Sequence, residues 1–323
     1  MARTVVGGLR GGPSNEYDVS LKTGAAILNA LPEDEYHGYD IFIDREGQWH
    51  HFGRPVDPMR ALHTMDVVVN GLHGTYGEDG TVQRLLERSG VPYTGPRAEA
   101  AALSMHKQRT KELVRRAGVR TPSGLYFALP TFETTGEMAM ETFRAVAPPY
   151  VVKPSHSGSS VGVYIAPTVN DLNELLGDAL DDHQSILVEE YIAGAEATVG
   201  VIDNFRGQEV YTLPPIEIVL GGRKIFDYET KYHPDTKEVC PSSFSNDIKR
   251  RLENAAKIAH QALGLTHYSR SDFRVHPSGA VYFLETNSLP GLTETSLIPK
   301  ALQTVGSSLK EFLVHIISRA LGR

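Results

Sequence analysis

The sequence is short of cysteine, of basic residues in excess and of long apolar runs, and each shortage removes a class of protein. A single cysteine, Cys240, excludes an internal disulfide framework and any zinc site built from several thiolates. A net charge of -7, from 32 basic and 39 acidic residues, argues against nucleic acid as the main partner. No apolar run has the length needed to cross a bilayer, so no membrane partner is expected. Met1-Ala2-Arg3-Thr4-Val5-Val6 also lacks the hydrophobic segment of a signal peptide, which makes the cytoplasm the default compartment. What remains is 41% hydrophobic and 22% charged, with 30 Gly and 19 Pro, the profile of a soluble globular protein rich in turns. Its 323 residues suffice for two or three domains.

The first third alternates short apolar strands with helical patterns, which predicts a mostly parallel α/β sheet. A strand over residues 4–9 runs into the loop Arg10-Gly11-Gly12-Pro13-Ser14-Asn15-Glu16-Tyr17-Asp18, ahead of a helix over 19–31 in which Asp18 reads as a helix N-cap. A second strand, 65–70, delivers the loop 71–80, with His73 and Glu78, before a helix over 81–88. Ligands of open α/β sheets bind beyond the carboxyl ends of strands, so the two loops are expected to face one crevice. Neither loop is a dinucleotide fingerprint or a Walker loop. Residues 98–118 read as one helix, 150–154 and 186–192 as strands around a hydroxyl-rich loop at 155–163, and 197–220 as consecutive antiparallel strands. The segment 221–246 shows no periodicity, 247–263 is a helix, and 297–321 supplies closing helices.

The most informative stretch is residues 284–296. The apolar run Val281-Tyr282-Phe283-Leu284 reads as a strand, and strand periodicity puts Glu285 and Asn287 on one face. Pairing it with residues 269–276 around the turn Pro277-Ser278-Gly279-Ala280 sets Asp272 opposite Glu285 and Arg270 opposite Asn287. Phe273, Val275, Tyr282 and Leu284 are then expected to pack on the other face. Two carboxylates and an amide converging at one end repel each other, and their oxygens suit a hard cation. Pro290-Gly291 ends the strand and leaves backbone amides free to hold an anion.

Taken together these stretches resemble the ATP-grasp superfamily, and within it the D-alanine–D-alanine ligases. The likeness spans essentially the whole chain: Gly-Gly-Pro-Ser-Asn-Glu with Val19-Ser20-Leu21, His73-Gly74, Gly77-Glu78-Asp79-Gly80, Tyr93-Thr94-Gly95, Ala102-Leu103-Ser104-Met105 with Lys107, Val152-Lys153-Pro154-Ser155, Gly158-Ser159-Ser160-Val161-Gly162, Asp227-Tyr228-Glu229, Lys231-Tyr232, Cys240-Pro241, Arg270-x-Asp272 and Glu285-x-Asn287 with Pro290-Gly291. The resemblance implies an α/β and α+β chain of three domains. Residues 1–105 would form an N-terminal domain with an open, mostly parallel sheet, followed by two ATP-clasping α+β domains at 106–193 and 194–323.

It implies ATP and two magnesium ions, with manganese as a substitute, D-alanine as small-molecule substrate, a homodimer, and ligation through an acyl phosphate for peptidoglycan precursors. Lys107, Lys153 and Lys231 would reach the phosphates, helped by Ser160, and Glu189 and Glu196 would bind adenine and ribose between Tyr191 and Leu284. Asp272, Glu285 and Asn287 would hold the metal. Arg270 and the amide of Gly291 would form an oxyanion hole, Ser296 and the amide of Leu297 would bind the acceptor carboxylate, and Glu16, His73 and Glu78 would place the first substrate. Ser159, Tyr232 and an N-terminal acid would close a lid, the acid falling on Asp18 where glutamate is usual; His106 also departs from a common aspartate. A ligase for another D-amino acid or D-lactate, or a nucleotide-binding protein without catalysis, are the alternatives.

Overall fold

The computed structural model describes residues 3–131, 133–156, 162–219, 221 and 236–323. Its first sheet has the strand order β4-β3-β2-β1-β5, built from β1 (Thr4–Gly11), β2 (Tyr36–Ile43), β3 (Trp49–His51), β4 (Arg54–Pro55) and β5 (Val67–Asn70). β1 pairs in parallel with β2 and β5, and the two outer strands are antiparallel. β5 is buried at every position although it ends the strand order, because Val67 and Val69 pack in one core and Val68 in another, so both faces are covered. Helices α1 (Tyr17–Ala30), α2 (Pro58–Leu62) and α3 (Thr81–Ser89) complete this part. The helix α1 starts at Tyr17 with Glu16 at the N-cap position, so Asp18 is a first-turn residue and not the cap.

The expected single helix over 98–118 is two, α4 (Ala98–Met105) and α5 (Lys107–Arg116), broken at His106, whose φ of -92° and ψ of 92° are extended. The break turns the chain so that the Lys107 N–H donates to the Ser155 carbonyl at 3.0 Å. A four-stranded antiparallel sheet follows in the order β6-β9-β7-β8, from β6 (Gly124–Ala128), β7 (Tyr150–Pro154), β8 (Tyr164–Ala166) and β9 (Ser185–Glu190). Two helices, α6 (Thr135–Ala145) and α7 (Val169–His183), cover it; both open with a capping box, Thr134 with Glu137 and Thr168 with Asp171.

The third sheet runs β13-β12-β10-β14-β15, with β11 also on β10, from β10 (Ala195–Phe205), β11 (Gln208–Thr212), β12 (Ile216–Val219), β13 (Lys237–Val239), β14 (Tyr268–Val275) and β15 (Val281–Asn287). The strand β13 falls in the stretch read as free of elements, where its pairing with β12 is tertiary and leaves no periodic trace in three residues. Helix α8 (Asn246–Ala262) packs Leu252, Ala255 and Ala259 on this sheet, sharing a core with Ala100 and Val114 of α4 and α5. Helices α9 (Leu297–Thr304) and α10 (Leu309–Ala320) join Val67 and Val69 of the first sheet to Ile202, Ile216 and Ile218 of the third in a single core.

The β14–β15 register shows how the expected pairing is achieved. Asp272 does face Glu285 and Arg270 faces Asn287, but the turn spans five residues and the ladder starts at Val275 opposite Val281. An irregularity beside Phe273 then restores the register, leaving Leu284 as the extra residue of a bulge. Its effect is to put Phe283, and neither Tyr282 nor Leu284, against Phe273 in the core, with ring centroids 5.9 Å apart and edge to face. Leu284 is thereby released toward the cleft. We therefore expect Phe283→Ala to cost about 3–5 kcal/mol in denaturant unfolding. Leu284→Ala is expected to cost less than about 1.5 kcal/mol while weakening nucleotide binding. Equal losses of stability would contradict the bulge.

Candidate active site

Two cavities meet at the β14–β15 pair. The first, about 120 Å³, lies between the second and third sheets and is lined by Lys107, Lys153, Glu189, Tyr191, Glu196 and Leu284. These are the described members of the expected nucleotide set; Ser160 and Lys231 fall outside the described residues. The second cavity, about 430 Å³, is lined among others by Glu16, His73, Glu78, Asn287, Gly291 and Ser296. Arg270, Asp272, Glu285 and Leu297 face both cavities. A group placed in one is therefore within reach of the same side chains as a group placed in the other.

Charge pairing dominates the first cavity. Glu189 is 2% exposed and both its oxygens are taken, Oε2 by Lys153 Nζ at 2.5 Å and Oε1 by Lys111 Nζ. Burial alone would raise this carboxyl, but the two ammonium groups hold it below the usual range. Glu285 behaves likewise: burial opposes its charge, yet Lys107 Nζ, 2.5 Å from Oε2, with Lys153 and Arg270 behind it, brings it down to about 2. Arg274 Nη1 donates to Glu196 at 2.9 Å and its Nη2 to the Tyr191 hydroxyl at 2.9 Å, fixing both residues. Lys111 and Arg274 were not singled out from the sequence, although each carries a signal. Lys111 is four residues after Lys107 on one helix face, and Arg274 shares the strand face of Asp272.

The shared wall gathers hydrogen bonds on Asp272. Asp272 accepts from Arg270 Nε at 3.0 Å and Nη2 at 2.9 Å, from Thr198 Oγ1 at 2.5 Å and from Asn287 Nδ2 at 3.2 Å. The loops that follow β1 and β5 form the other side of the second cavity, tied together by Ser14 Oγ donating to the His73 carbonyl at 2.8 Å. His73 Nε2 lies 2.8 Å from Thr23 Oγ1. Glu78 bridges to the opposite wall: its Oε2 accepts from the Gly74 N–H at 2.8 Å and its Oε1 from the Leu289 N–H at 3.1 Å. Burial, with Glu16 nearby, pushes the Glu78 carboxyl up to about 7. Gly291 approaches Ser296 so closely that a Cβ there would sit 2.9 Å from the hydroxyl. Ser296 stands at the N-cap position of α9 without capping it; its Oγ instead accepts from the Thr293 N–H at 3.1 Å.

Asp18 is the expected site residue that the structure places elsewhere. Its side chain is 77% exposed and lies 3.5 Å from Arg45, and it lines neither cavity. Because α1 begins at Tyr17, Glu16 turns into the second cavity and Asp18 turns out. Ser159 and Tyr232, the other members of the expected lid, lie outside the described residues. No helix among the described residues is long and apolar enough to cross a membrane.

The family model described as D-ala D-ala ligase C-terminus matches residues 113–318, and that of the D-ala D-ala ligase N-terminus matches 53–96. The chain belongs to the D-alanine–D-alanine ligase family. The D-alanine–D-alanine ligase of Halalkalibacterium halodurans is 37% identical to it over 319 residues, covering 97% of this chain and 98% of the relative. That of Aquifex aeolicus is 36% identical over 313 residues, covering 96% and 98%. Among solved structures, the VanG D-Ala:D-Ser ligase of Enterococcus faecalis superposes with a TM-score of 0.88 at 28% identity, over 99% of this chain and all of that one. The D-alanine–D-alanine ligase of Bacillus anthracis complexed with ATP gives 0.80 at 27% identity, over 99% and 98%. The three-sheet architecture of this ligase is accordingly the ATP-grasp fold.

Glu78 supplies a pH test. A carboxyl raised from 4.5 to about 7 in the folded protein retains a proton that the unfolded chain has lost, so its contribution to stability falls as pH rises through that interval. Glu78→Gln removes the titration. We expect the melting temperature of the variant, relative to the parent, to increase between about pH 5 and about pH 8; a constant difference would show that Glu78 does not titrate there.

Proposed function

We propose that the first cavity takes ATP, the second takes two D-alanine molecules, and the β14–β15 wall joins the two steps of their ligation. The supporting observation is that Arg270, Asp272 and Glu285 face both cavities. In this reading Lys107 and Lys153 leave their carboxylate partners for the phosphates, where their charge offsets that of the transferred group. Lys231 and Ser160 join them, while Glu189 and Glu196 accept from adenine and ribose beside Tyr191 and Leu284. The carboxylate of the first D-alanine attacks the γ-phosphorus, forming a new P–O bond to an acyl phosphate as the bond to ADP breaks. The amine of the second D-alanine then attacks the acyl carbon, and phosphate departs as the peptide bond forms.

Glu16, His73 and Glu78 place the first substrate, with Glu16 in the role the resemblance gave to Asp18. Arg270 and the Gly291 N–H face the oxygen that becomes negative in the tetrahedral intermediate. Ser296 and the Leu297 N–H hold the carboxylate of the acceptor, at the start of a helix where anions are favoured. Asp272, Glu285 and Asn287 present only oxygen ligands on one strand-pair face, a set that fits magnesium, with manganese as a substitute. Bound there, the ions supply further neutralisation of the phosphate charge. Ser159 and Tyr232 cover the substrates against water. The product serves peptidoglycan precursor synthesis in the cytoplasm, and the working unit is a homodimer.

The test is ADP release with D-alanine and magnesium, with the dipeptide confirmed by mass. Absence of ADP release with D-alanine, or equal turnover with L-alanine, would sink the proposal; D-serine and D-lactate are the acceptors to compete against D-alanine in the same assay. Loss of one hydrogen bond to a charged group is worth about tenfold in affinity. Ser296→Ala is therefore expected to raise the KM of the acceptor about tenfold while changing that of ATP less than about twofold.

A further inference from the structure

Tyr93, Thr94 and Gly95 line neither cavity. Gly95 nevertheless lies directly behind the acceptor loop, in a left-handed conformation with φ of 97°. A Cβ added to it would fall 2.6 Å from Leu289 Cδ2, so the Gly95 backbone forms the bed on which Leu289 rests. Leu289 in turn donates its N–H to Glu78 and precedes Pro290-Gly291. What holds Gly95 in place comes from the loop between α8 and β14. Its N–H donates to His267 Nδ1 at 2.9 Å, and Thr266 Oγ1 donates to its carbonyl at 3.0 Å.

The hydrogen bond from Gly95 has one possible polarity. A backbone N–H can only donate, so His267 Nδ1 must be unprotonated and the ring neutral with its proton on Nε2. The backbone of His267 is fixed from below: its N–H donates to Asp203 Oδ2 at 2.7 Å, and Asp203 Oδ1 lies 3.0 Å from Nε2 of the buried His260. His260 Nδ1 is 2.7 Å from Ser269 Oγ. The charged and titratable groups facing His267 are Asp203 from β10 and His315 and Arg319 from α10, with His260 of α8 behind Asp203.

We infer that His267 is a positioning residue for the acceptor loop, acting through Gly95 and Leu289, and that it does so only while Nδ1 is free to accept. The inference rests on the reading of residues 288–296 as the wall that binds acceptor and oxyanion. Protonation at Nδ1 would set two donors against each other and release Gly95 from behind Leu289. Burial pushes the His267 ring below its ordinary value of 6.5, with Arg319 and His315 acting in the same direction and Asp203 against it. The link is therefore intact at neutral pH and is lost only on the acid side.

The backbone of His267, at φ of 66°, is a conformation that Asn and Gly adopt readily. His267→Asn keeps an acceptor near the position of Nδ1 but cannot titrate, and His267→Gly removes the acceptor without backbone strain. At neutral pH the Gly variant is expected to raise the acceptor KM about tenfold with the ATP KM changed less than about twofold. The Asn variant should stay within about threefold of the parent and lack the parent's rise in acceptor KM at acid pH. An unchanged acceptor KM in the Gly variant would overturn the inference, and so would an Asn variant that keeps the full acid rise. The Asn comparison decides the matter if the Gly variant does not fold. Ser296→Ala separates the two levels: an unchanged acceptor KM there removes the reading of the loop itself. A raised value there, with no effect at His267, removes only the positioning role.

Discussion

Paired buried charge is the constraint on which the rest of the site depends. Glu189, Glu196, Asp272 and Glu285 stand in or beside a cleft largely withdrawn from water, and each has a cation against it: Lys111 and Lys153, Arg274, Arg270, and Lys107 respectively. Removing one partner of such a pair leaves an uncompensated charge and costs far more than the pair contributes. The cations come from α5, β7 and β14, so the cleft can close only when three separate parts of the chain are in register. On the function proposed, the same pairing prepares the site for a polyphosphate. An ammonium already desolvated and aimed into the cleft changes one anionic partner for another with little rearrangement.

Some of this was open to reading in the sequence and some was not, for identifiable reasons. Side-chain alternation put Glu285 and Asn287 on one face, and pairing around an assumed turn put Asp272 opposite Glu285, without any structure. The turn behind that pairing is one residue longer than expected and the bulge at Leu284 offsets the difference, so a correct result was reached through two compensating departures. Only the packing of Phe283 on Phe273 discloses it. That Glu16 and not Asp18 lines the second cavity depends on where α1 begins, and helix starts without a side-chain cap leave little local signal. The break at His106 is likewise tertiary, held by a bond to Ser155 from a distant strand.

The links between parts also separate binding from assembly of the walls. Glu78 belongs to the loop after β5 yet accepts from Leu289, and Gly95 belongs to the chain after α3 yet is held by His267. The second cavity is thus built across the first and third sheets, and its shape reports on their relative placement. The first cavity is built across the second and third sheets, where the pairing of Lys107 with Glu285 and of Lys111 with Glu189 ties α5 to both. The third sheet is common to the two, and β14–β15 lines both.

The core that unites Val67 and Val69 with Ile316 and Ile317 carries a consequence for biosynthesis. A chain made from its amino end exposes the face of the first sheet until α9 and α10 have left the ribosome. Some 238 residues separate β5 from α10, so that face must wait until they have been made. Nascent intermediates of this ligase therefore carry an uncovered apolar face, and a ligand of the second cavity can lend its binding energy to folding only once residues up to Lys300 have been made.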